Sequence, residues 1–135
     1  MYHEVTIKHH VEGAGGTMRA ETSRIIVGNA LLFAEAEYKA MQWADDDGAE
    51  VTAIKRSGIR EFANGSSDGK RIYFLTLQQL EKDEKTGKEK TLRYTVGLYA
   101  NDMTGAKANA ERYMSQGLDG LEMVGINQTK FREVI

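Results

Sequence analysis

The strongest constraint on the fold of this chain is an internal repeat with a spacing of 72 residues. When residues 1–63 are overlaid on residues 73–135 without a gap, 11 positions carry identical residues. Those positions are Glu12, Gly15, Asn29, Ala34, Ala36, Asp47, Gly48, Glu50, Ile54, Arg60 and Glu61, each matched 72 positions later. Because the register needs no gap and the predicted elements follow in the same order, we expect a duplicated supersecondary unit.

A pair of strands opens each half of the chain. Residues 2–12 alternate between apolar and polar side chains, residues 13–16 form a glycine-rich turn, and residues 19–28 continue as a return strand. In the second half the matching strands begin near Arg71 and flank a charged hairpin tip at residues 82–90. We therefore expect an antiparallel hairpin at the start of each half.

A helix with one apolar stripe follows each hairpin, over residues 31–44 and about 103–116. The stripes are Phe33, Ala36, Ala40, Trp43 and Ala44 in the first helix, and Ala106, Ala110, Tyr113 and Met114 in the second. We expect these stripes to face the core of the fold.

Capping residues mark where the helices begin and end. We expect Asn29 to cap the first helix, Gly48 to stop it, and Asn101 or Asp102 to cap the second. A turn at 117–120 then leads from the second helix into its third strand. Third strands are predicted at 50–56 and 121–127, and short terminal pieces at 59–62 and 131–134.

Each half therefore predicts a β-β-α-β unit, over residues 1–63 and 71–135, joined by a polar loop at residues 63–70. The strand–helix–strand part should cross over right-handedly, which makes its two strands parallel. We expect an α+β fold, a single pseudo-twofold domain over residues 1–135 with two helices packed on mixed sheet. The units either cover each other's open face or join edges into one six-stranded sheet, and the sequence leaves both arrangements open.

Composition excludes several classes of protein. The chain has no cysteine, which excludes disulfides and zinc–cysteine sites, and no apolar run reaches the length of a membrane span. The N-terminal residues lack the layout of a signal peptide, so the sequence predicts a cytoplasmic protein without a membrane partner. A net charge of −2 argues against a binder held to nucleic acid by phosphate contacts alone.

The strand ends and the charged hairpin carry a family resemblance. The hairpin at residues 84–90 follows an aromatic strand, and the two Ala-rich helices lead to strands that end at residues 54–62 and 126–134. This pattern resembles a small uncharacterised family of Bacteroides-group bacteria, their mobile elements and their tailed phages, which is known only as a domain of unknown function. The resemblance implies a phage or mobile-element origin and a cytoplasmic location in an infected bacterium, and it supplies no catalytic residues.

No pattern in the chain indicates catalysis, a metal or a cofactor. His3 and His9 share a strand face but lie six residues apart, roughly 20 Å along a strand, so they cannot hold one ion together. No serine lies in a nucleophile elbow, and we expect the serines, Ser23 among them, to lie in turns or before strands. The glycines at 13–16 precede a strand, whereas phosphate-binding loops precede a helix. We therefore predict a protein that is not an enzyme.

Charge distribution gives the best functional hint. In the first half the acidic residues cluster on the helix and its exit, while the basic residues lie on strands, so we expect a locally basic sheet face. Tyr94 and Tyr99 on a strand of the second half could add stacking surfaces. The candidate ligand-binding residues are Lys8, Arg24, Lys55, Arg56, Arg60, Tyr94 and Arg132. The alternative interpretation is that these strand faces are merely solvated and that Tyr94 lies in the core.

The repeated Arg60-Glu61 and Arg132-Glu133 pairs also have two interpretations. Either each pair closes its repeat with a bridge to the other unit, or the two arginines face one anionic ligand. Our first hypothesis is recognition of single-stranded nucleic acid or a nucleotide. The second is a protein-interaction module, such as an inhibitor or assembly factor, and either could form an oligomer.

Overall fold

The computed structural model describes residues 1–117 and 120–135, and it contains eight strands and two helices over those ranges. In chain order the elements are β1 (His3–Glu12), β2 (Met18–Val27), α1 (Phe33–Ala44), β3 (Glu50–Arg56), β4 (Ile59–Phe62), β5 (Arg71–Lys82), β6 (Glu89–Ala100), α2 (Met103–Ser115), β7 (Leu121–Gln128) and β8 (Phe131–Val134). The order and type of the predicted elements are confirmed, as is the α+β class. The predicted turn at 117–120 includes Leu118 and Asp119, which lie outside the described residues.

The chain divides into two compact units that do not coincide with its two halves. The first unit comprises Met1–Ser57 and Lys130–Ile135, and the second comprises Gly58–Thr129. Each unit has a four-stranded sheet, ordered β3-β1-β2-β8 in the first and β7-β5-β6-β4 in the second. The two alternatives that we left open included one six-stranded sheet, and that arrangement is wrong.

The fourth strand of each sheet comes from the other half of the sequence. β8 pairs in parallel with β2, and β4 pairs in parallel with β6. The prediction that each terminal piece closes its own repeat is therefore wrong, whereas the predicted bridge to the other repeat is present, since Glu61 accepts from Tyr113 and Glu133 accepts from Trp43. The reason is geometric. The fourth strand runs parallel to β2, and β3 is also parallel to β2, so a strand in this place begins at the end of the sheet where β3 begins, roughly 20 Å from where β3 ends. Only Ser57 and Gly58 separate β3 from β4, and two residues cannot span that distance.

Strand directions agree with the crossover that we predicted. β2 and β3 both run antiparallel to β1, and they are therefore parallel to each other. They are not hydrogen-bonded neighbours, because β1 lies between them. The same arrangement recurs in the second unit, where β5 lies between β6 and β7.

The structural correspondence between the units departs from the ungapped spacing of 72 residues. His3, Val5 and Ile7 on β1 take the inward positions that Tyr73, Leu75 and Leu77 take on β5, 70 residues later. The buried helical alanines, Ala36 and Ala40 in α1 and Ala106 and Ala110 in α2, are also 70 residues apart. Only the third and fourth strands keep the spacing of 72, with Ile54 matching Ile126 and Ile59 matching Phe131. Gene duplication therefore remains a prediction, and the ungapped register is wrong for β1, β2 and α1.

Each helix packs on its sheet through small residues. In the first unit Ala36 and Ala40 lie against a cluster that contains Val5, Ile7 and Ile25. In the second unit the corresponding alanines, Ala106 and Ala110, lie against Tyr73, Leu75, Leu77, Val96 and Leu98. Alanine lets the helix backbone approach the sheet closely while the strands supply the bulk of the apolar area. Phe33 departs from the predicted stripe, since 51% of it is exposed and its ring meets His3 edge-on.

Two of the predicted caps are wrong and one is confirmed. Asn29 adopts a left-handed conformation, with φ 55°, and α1 begins after Leu32 without a side-chain cap. Asp45, with φ 47°, ends α1 in place of Gly48. Asp102 caps α2 as expected, because its carboxylate accepts a hydrogen bond from the Gly105 amide at 2.7 Å. Neither helix, over the described residues, is long and apolar enough to cross a membrane.

Candidate functional site

An irregularity in β4 brings Arg60 and Glu61 to one side of the second sheet. Ile59 faces Thr95 on β6, whereas Glu61 faces the very next residue, Val96, so Arg60 is an extra residue in the ladder. A bulge of this kind places two successive side chains on the same side, where a regular strand would alternate them. The repeated Arg-Glu pair therefore points its guanidinium and its carboxylate into one site.

That site in the second unit is an open cavity of about 390 Å³. The Arg60 guanidinium lies 4.6 Å from the centre of the Tyr94 ring, in cation–π geometry. The walls of the cavity are formed by Arg60, Glu61, Gln79, Tyr94, Tyr113, Gln116, Gly117 and Leu121. The lining combines one cation, one carboxylate, two phenol rings and two amide side chains, which together can bond a polar planar ligand.

A hydrogen bond from Tyr113 fixes the carboxylate of this cavity. The Tyr113 hydroxyl, at the end of α2, donates to Glu61. Burial and then the neighbouring Glu61 carboxylate raise the pKa of Tyr113 well above its usual value of 10. Tyr113 is therefore a neutral donor at physiological pH, and Glu61 is held against the helix.

The first unit has the same bulge with a different outcome. Arg24 faces Phe131 and Ile25 faces Glu133, so Arg132 is the extra residue in β8. Glu133 accepts a hydrogen bond from the Trp43 indole at 2.6 Å, just as Glu61 accepts one from Tyr113. An Arg-Glu pair therefore lies against an aromatic residue of the helix in both units.

Polar side chains lie around Arg132 at the corresponding place in the first unit. Arg132 lies 3.4 Å from a Glu21 carboxylate oxygen and 3.3 Å from the Ser23 hydroxyl, and its guanidinium is 5.8 Å from the Trp43 ring centre. The buried His9 ring is hydrogen-bonded to Ser23 at 2.8 Å and meets Trp43 edge-on. In this unit the arginine is paired with a carboxylate, although its side chain is 53% exposed and lines an open cavity of about 330 Å³.

Two corresponding positions account for the difference between the units. By strand register, Ser23 on β2 corresponds to Tyr94 on β6, and Glu21 corresponds to Leu92. The second unit thus replaces the carboxylate that pairs with Arg132 by a leucine. Among the residues that the structure describes, Arg60 forms no ion pair with a carboxylate. A guanidinium stacked on an aromatic ring without an anionic partner is suited to bind an external anion.

The other predicted ligand-binding residues are distributed over the first unit. Lys8, Arg24 and Lys55 share the face of the first sheet that points away from α1, where Glu4 lies 3.9 Å from Arg24 and 3.8 Å from Lys55. Arg56 is opposite His3 and therefore belongs to the other face. The sequence-based grouping of Lys55 with Arg56 is thus not reproduced, since adjacent strand residues alternate.

Sequence reasoning brought together only part of the cavity. Arg60 and Tyr94 were both expected to bind ligand, and they are in contact. Tyr99, the other predicted stacking residue, instead lies with its ring against Phe62. Tyr113 was predicted as a core residue, and Gln79 and Gln116 gave no signal at all. The recurrence of Arg-Glu at residues 60–61 and 132–133 was the one pattern that pointed to the site.

Possible metal ligands are dispersed over the described residues. Over residues 1–117 and 120–135, no three His, Asp or Glu side chains are grouped so that they could hold an ion. His3 is fully buried with neither ring nitrogen hydrogen-bonded, and His9 is bonded to Ser23. The groups that the cavity beside Arg60 offers to a ligand are its arginine, its carboxylate, its aromatic rings and its amides.

Comparison with known proteins places the chain in a family. No curated protein and no solved structure matches it significantly. A family model described as "Domain of unknown function (DUF4494)" matches residues 1–135, the full length of the chain. The prediction that the chain is a member of an uncharacterised family is thereby confirmed, and the chain belongs to the DUF4494 family.

Proposed function

We propose that this protein is a non-enzymatic binding protein whose second unit recognises a small anionic ligand of the nucleotide class. The observation that carries the proposal is the Arg60 guanidinium, stacked on Tyr94 and without a carboxylate partner among the described residues. Its counterpart Arg132 is paired with Glu21. Stacking holds the guanidinium flat and directs its N–H groups for bidentate bonding to phosphate.

The rest of the cavity supports a nucleotide over a bare anion. Its volume of about 390 Å³ falls within the range of small-ligand sites. Gln79 and Gln116 offer amide donors and acceptors that can bond the edge of a base, and the exposed side of the stacked guanidinium can itself lie on a base. Glu61 can accept hydrogen bonds from ribose hydroxyls while it remains bonded to Tyr113.

A single strand of nucleic acid is the other ligand that we consider. Its phosphates would meet Lys8, Arg24 and Lys55 on the outward face of the first sheet. Glu4 lies between Arg24 and Lys55 and reduces the positive charge of that face. Because the charge of that face is reduced, the cavity of about 390 Å³ beside Arg60 favours a mononucleotide or dinucleotide.

The experiment is a calorimetric titration of the protein at low salt with nucleoside mono-, di- and triphosphates, dinucleotides and short single strands. We expect binding of a nucleotide that weakens with salt, and we expect Arg60→Ala to weaken it at least about tenfold, since hydrogen bonds to a charged group contribute about 1.5–3 kcal/mol. Tyr94→Phe keeps the stacking surface and should keep most of the affinity.

Arg132→Ala is the matched control, because it removes the corresponding arginine of the first unit, which is already paired with Glu21. It should leave ligand affinity unchanged. Lys55→Glu separates the two ligand sizes, since it weakens only a strand that runs along the first sheet. The proposal fails if no member of the panel binds at low salt, or if Arg132→Ala and Arg60→Ala lower the affinity equally; the protein-interaction alternative then takes its place.

The origin and location of the protein belong to the same proposal. From the resemblance in the hairpin and the strand ends, we infer that it comes from a phage or mobile element of Bacteroides-group bacteria and acts in the cytoplasm of the host. A small binding protein of this kind could sequester a nucleotide from host signalling. Absorbance of the purified protein at 260 and 280 nm tests whether it carries a nucleotide from the expression host.

A further inference from the structure

The start of α1 exposes more apolar surface than the fold requires. Leu31, Leu32 and Phe33 are 68%, 63% and 51% exposed, and Tyr38, one turn further along, is 65% exposed. Within α1, Ala34 and Tyr38 lie on the side opposite the core residues Ala36 and Ala40, because successive helical residues are about 100° apart. We use the name outer face of α1 for Ala34 and Tyr38 together with the exposed Leu31 and Leu32, which immediately precede the helix.

The second unit shows that the fold does not need these residues. Since Ala36 corresponds to Ala106, the positions of Leu31, Leu32 and Tyr38 correspond to Asn101, Asp102 and Ala108 in α2. Asp102 caps its helix, whereas Leu32 occupies the cap position of α1 with no side-chain hydrogen bond. The first unit therefore has an exposed leucine where the second has a capping aspartate, and the side-chain hydrogen bond at this helix start runs from the Leu31 amide to Glu35 at 3.3 Å. Loss of stability together with exposed apolar area is typical of a binding surface.

Charge around this face indicates what can bind there. Glu35 and Glu37 lie on the exposed side of α1, and Asp45 and Asp47 flank a hollow of about 280 Å³ that also involves Tyr38. These four carboxylates form no ion pair over the described residues. The nearby Lys39 is occupied, because its ammonium donates to the carbonyls of Gly28 and Asn29. The face is thus apolar at the start of α1 and negative at its end.

This charge pattern argues against nucleic acid and against a second copy of the chain as the partner of this face. Nucleic acid would be repelled by the carboxylates. A second copy of the chain in a twofold contact would bring the same acidic helix against itself, and like charges there oppose association. A cationic segment with one apolar side complements both parts of the face.

We propose that the outer face of α1 docks an amphipathic basic segment of a partner protein, whose apolar side covers Leu31, Leu32 and Tyr38 and whose lysines or arginines meet the carboxylates. This surface lies in the first unit and is independent of the ligand cavity beside Arg60. The partner's chemistry follows from the exposed residues and does not depend on the proposed nucleotide.

The test uses a synthetic 18-residue amphipathic helix of leucine and lysine as the probe, with the full-length protein. We expect salt-sensitive binding in fluorescence anisotropy and NMR shift changes concentrated at residues 31–47. A peptide of equal charge with its leucines replaced by serine should bind at least about tenfold more weakly, because the apolar contacts are missing. Equal binding of both peptides, or shift changes that map elsewhere, would falsify the proposal.

Leu32→Ser separates docking from folding. It keeps the charge, gives α1 the side-chain cap that it lacks, and should raise the melting temperature while weakening peptide binding about fivefold or more. Tyr38→Ala, which copies Ala108, should weaken binding similarly. Met103→Ser, at the α2 position that corresponds to Phe33, is the control and should leave binding unchanged. A Leu32→Ser protein that melts at lower temperature, or that binds the peptide as well as wild type, contradicts the inference.

Discussion

At the scale of single residues, His3 is a buried polar side chain that lowers the free energy of unfolding. It is fully buried, and neither ring nitrogen has a hydrogen-bond partner. Burial, followed by the positive charges of Arg56 and the N-terminus, lowers the pKa of His3 below 6.5, and Glu35 opposes them. Because the unfolded chain takes up a proton near pH 6.5 and the folded chain resists it, stability is complete above that pH and falls as pH drops toward the folded-state pKa.

His3→Leu should therefore remove part of the pH dependence. We expect the free energy of unfolding to rise by about 1–2 kcal/mol at pH 7, because unsatisfied polar groups leave the core, and by more at pH 5. Urea titrations at pH 7, 6 and 5 measure the effect. His10→Leu is the comparison, since His10 is exposed on the opposite face, 2.9 Å from Asp46. A His3→Leu protein with the same pH slope as wild type would show that His3 does not titrate in this range.

At the scale of elements, the two helix starts make a direct comparison of capping. Asp102→Ala removes the hydrogen bond to the Gly105 amide and should lower the free energy of unfolding by about 1 kcal/mol. Leu32→Ala removes no capping hydrogen bond from α1 and should cost no capping energy. Thermal and urea unfolding of both variants check this, and equal losses would argue that the Asp102 hydrogen bond contributes nothing.

Local patterns predicted the elements well and their ends less well. Alternation placed His3, Val5, Ile7 and His9 on one face of β1 because a strand with one buried side has a period of two. The prediction of Asn29 as a helix cap is wrong because asparagine is favoured both at caps and in left-handed turns, and here it occupies such a turn. The extra residue at Arg60 was beyond sequence reasoning, because a bulge depends on pairing with Thr95 and Val96 in a distant strand.

At the scale of the whole molecule, the exchange of terminal strands makes each unit depend on the other half of the chain. β4 supplies an edge to the second sheet and β8 supplies one to the first. Neither half of the sequence can complete its own sheet, since two residues do not let β4 return to β2. Separating the two halves of the sequence would therefore take one strand from each sheet, whereas each compact unit contains all four strands of its own sheet and has its own core.

Cutting the chain in the loop at residues 63–70 tests whether each half needs the strand that the other half supplies. Fragments 1–66 and 67–135 each retain a hairpin, a helix and a third strand but lack a native neighbour for their terminal strand. We expect each fragment alone to unfold with low cooperativity, and an equimolar mixture to recover the cooperative transition and the amide spectrum of the intact protein. Fragments that each fold cooperatively alone, with no change on mixing, would show that strand exchange contributes little. Phe131→Asp and Ile59→Asp, which disrupt β8 and β4 respectively, should prevent recovery on mixing, because each disrupts the strand that one fragment gives to the other.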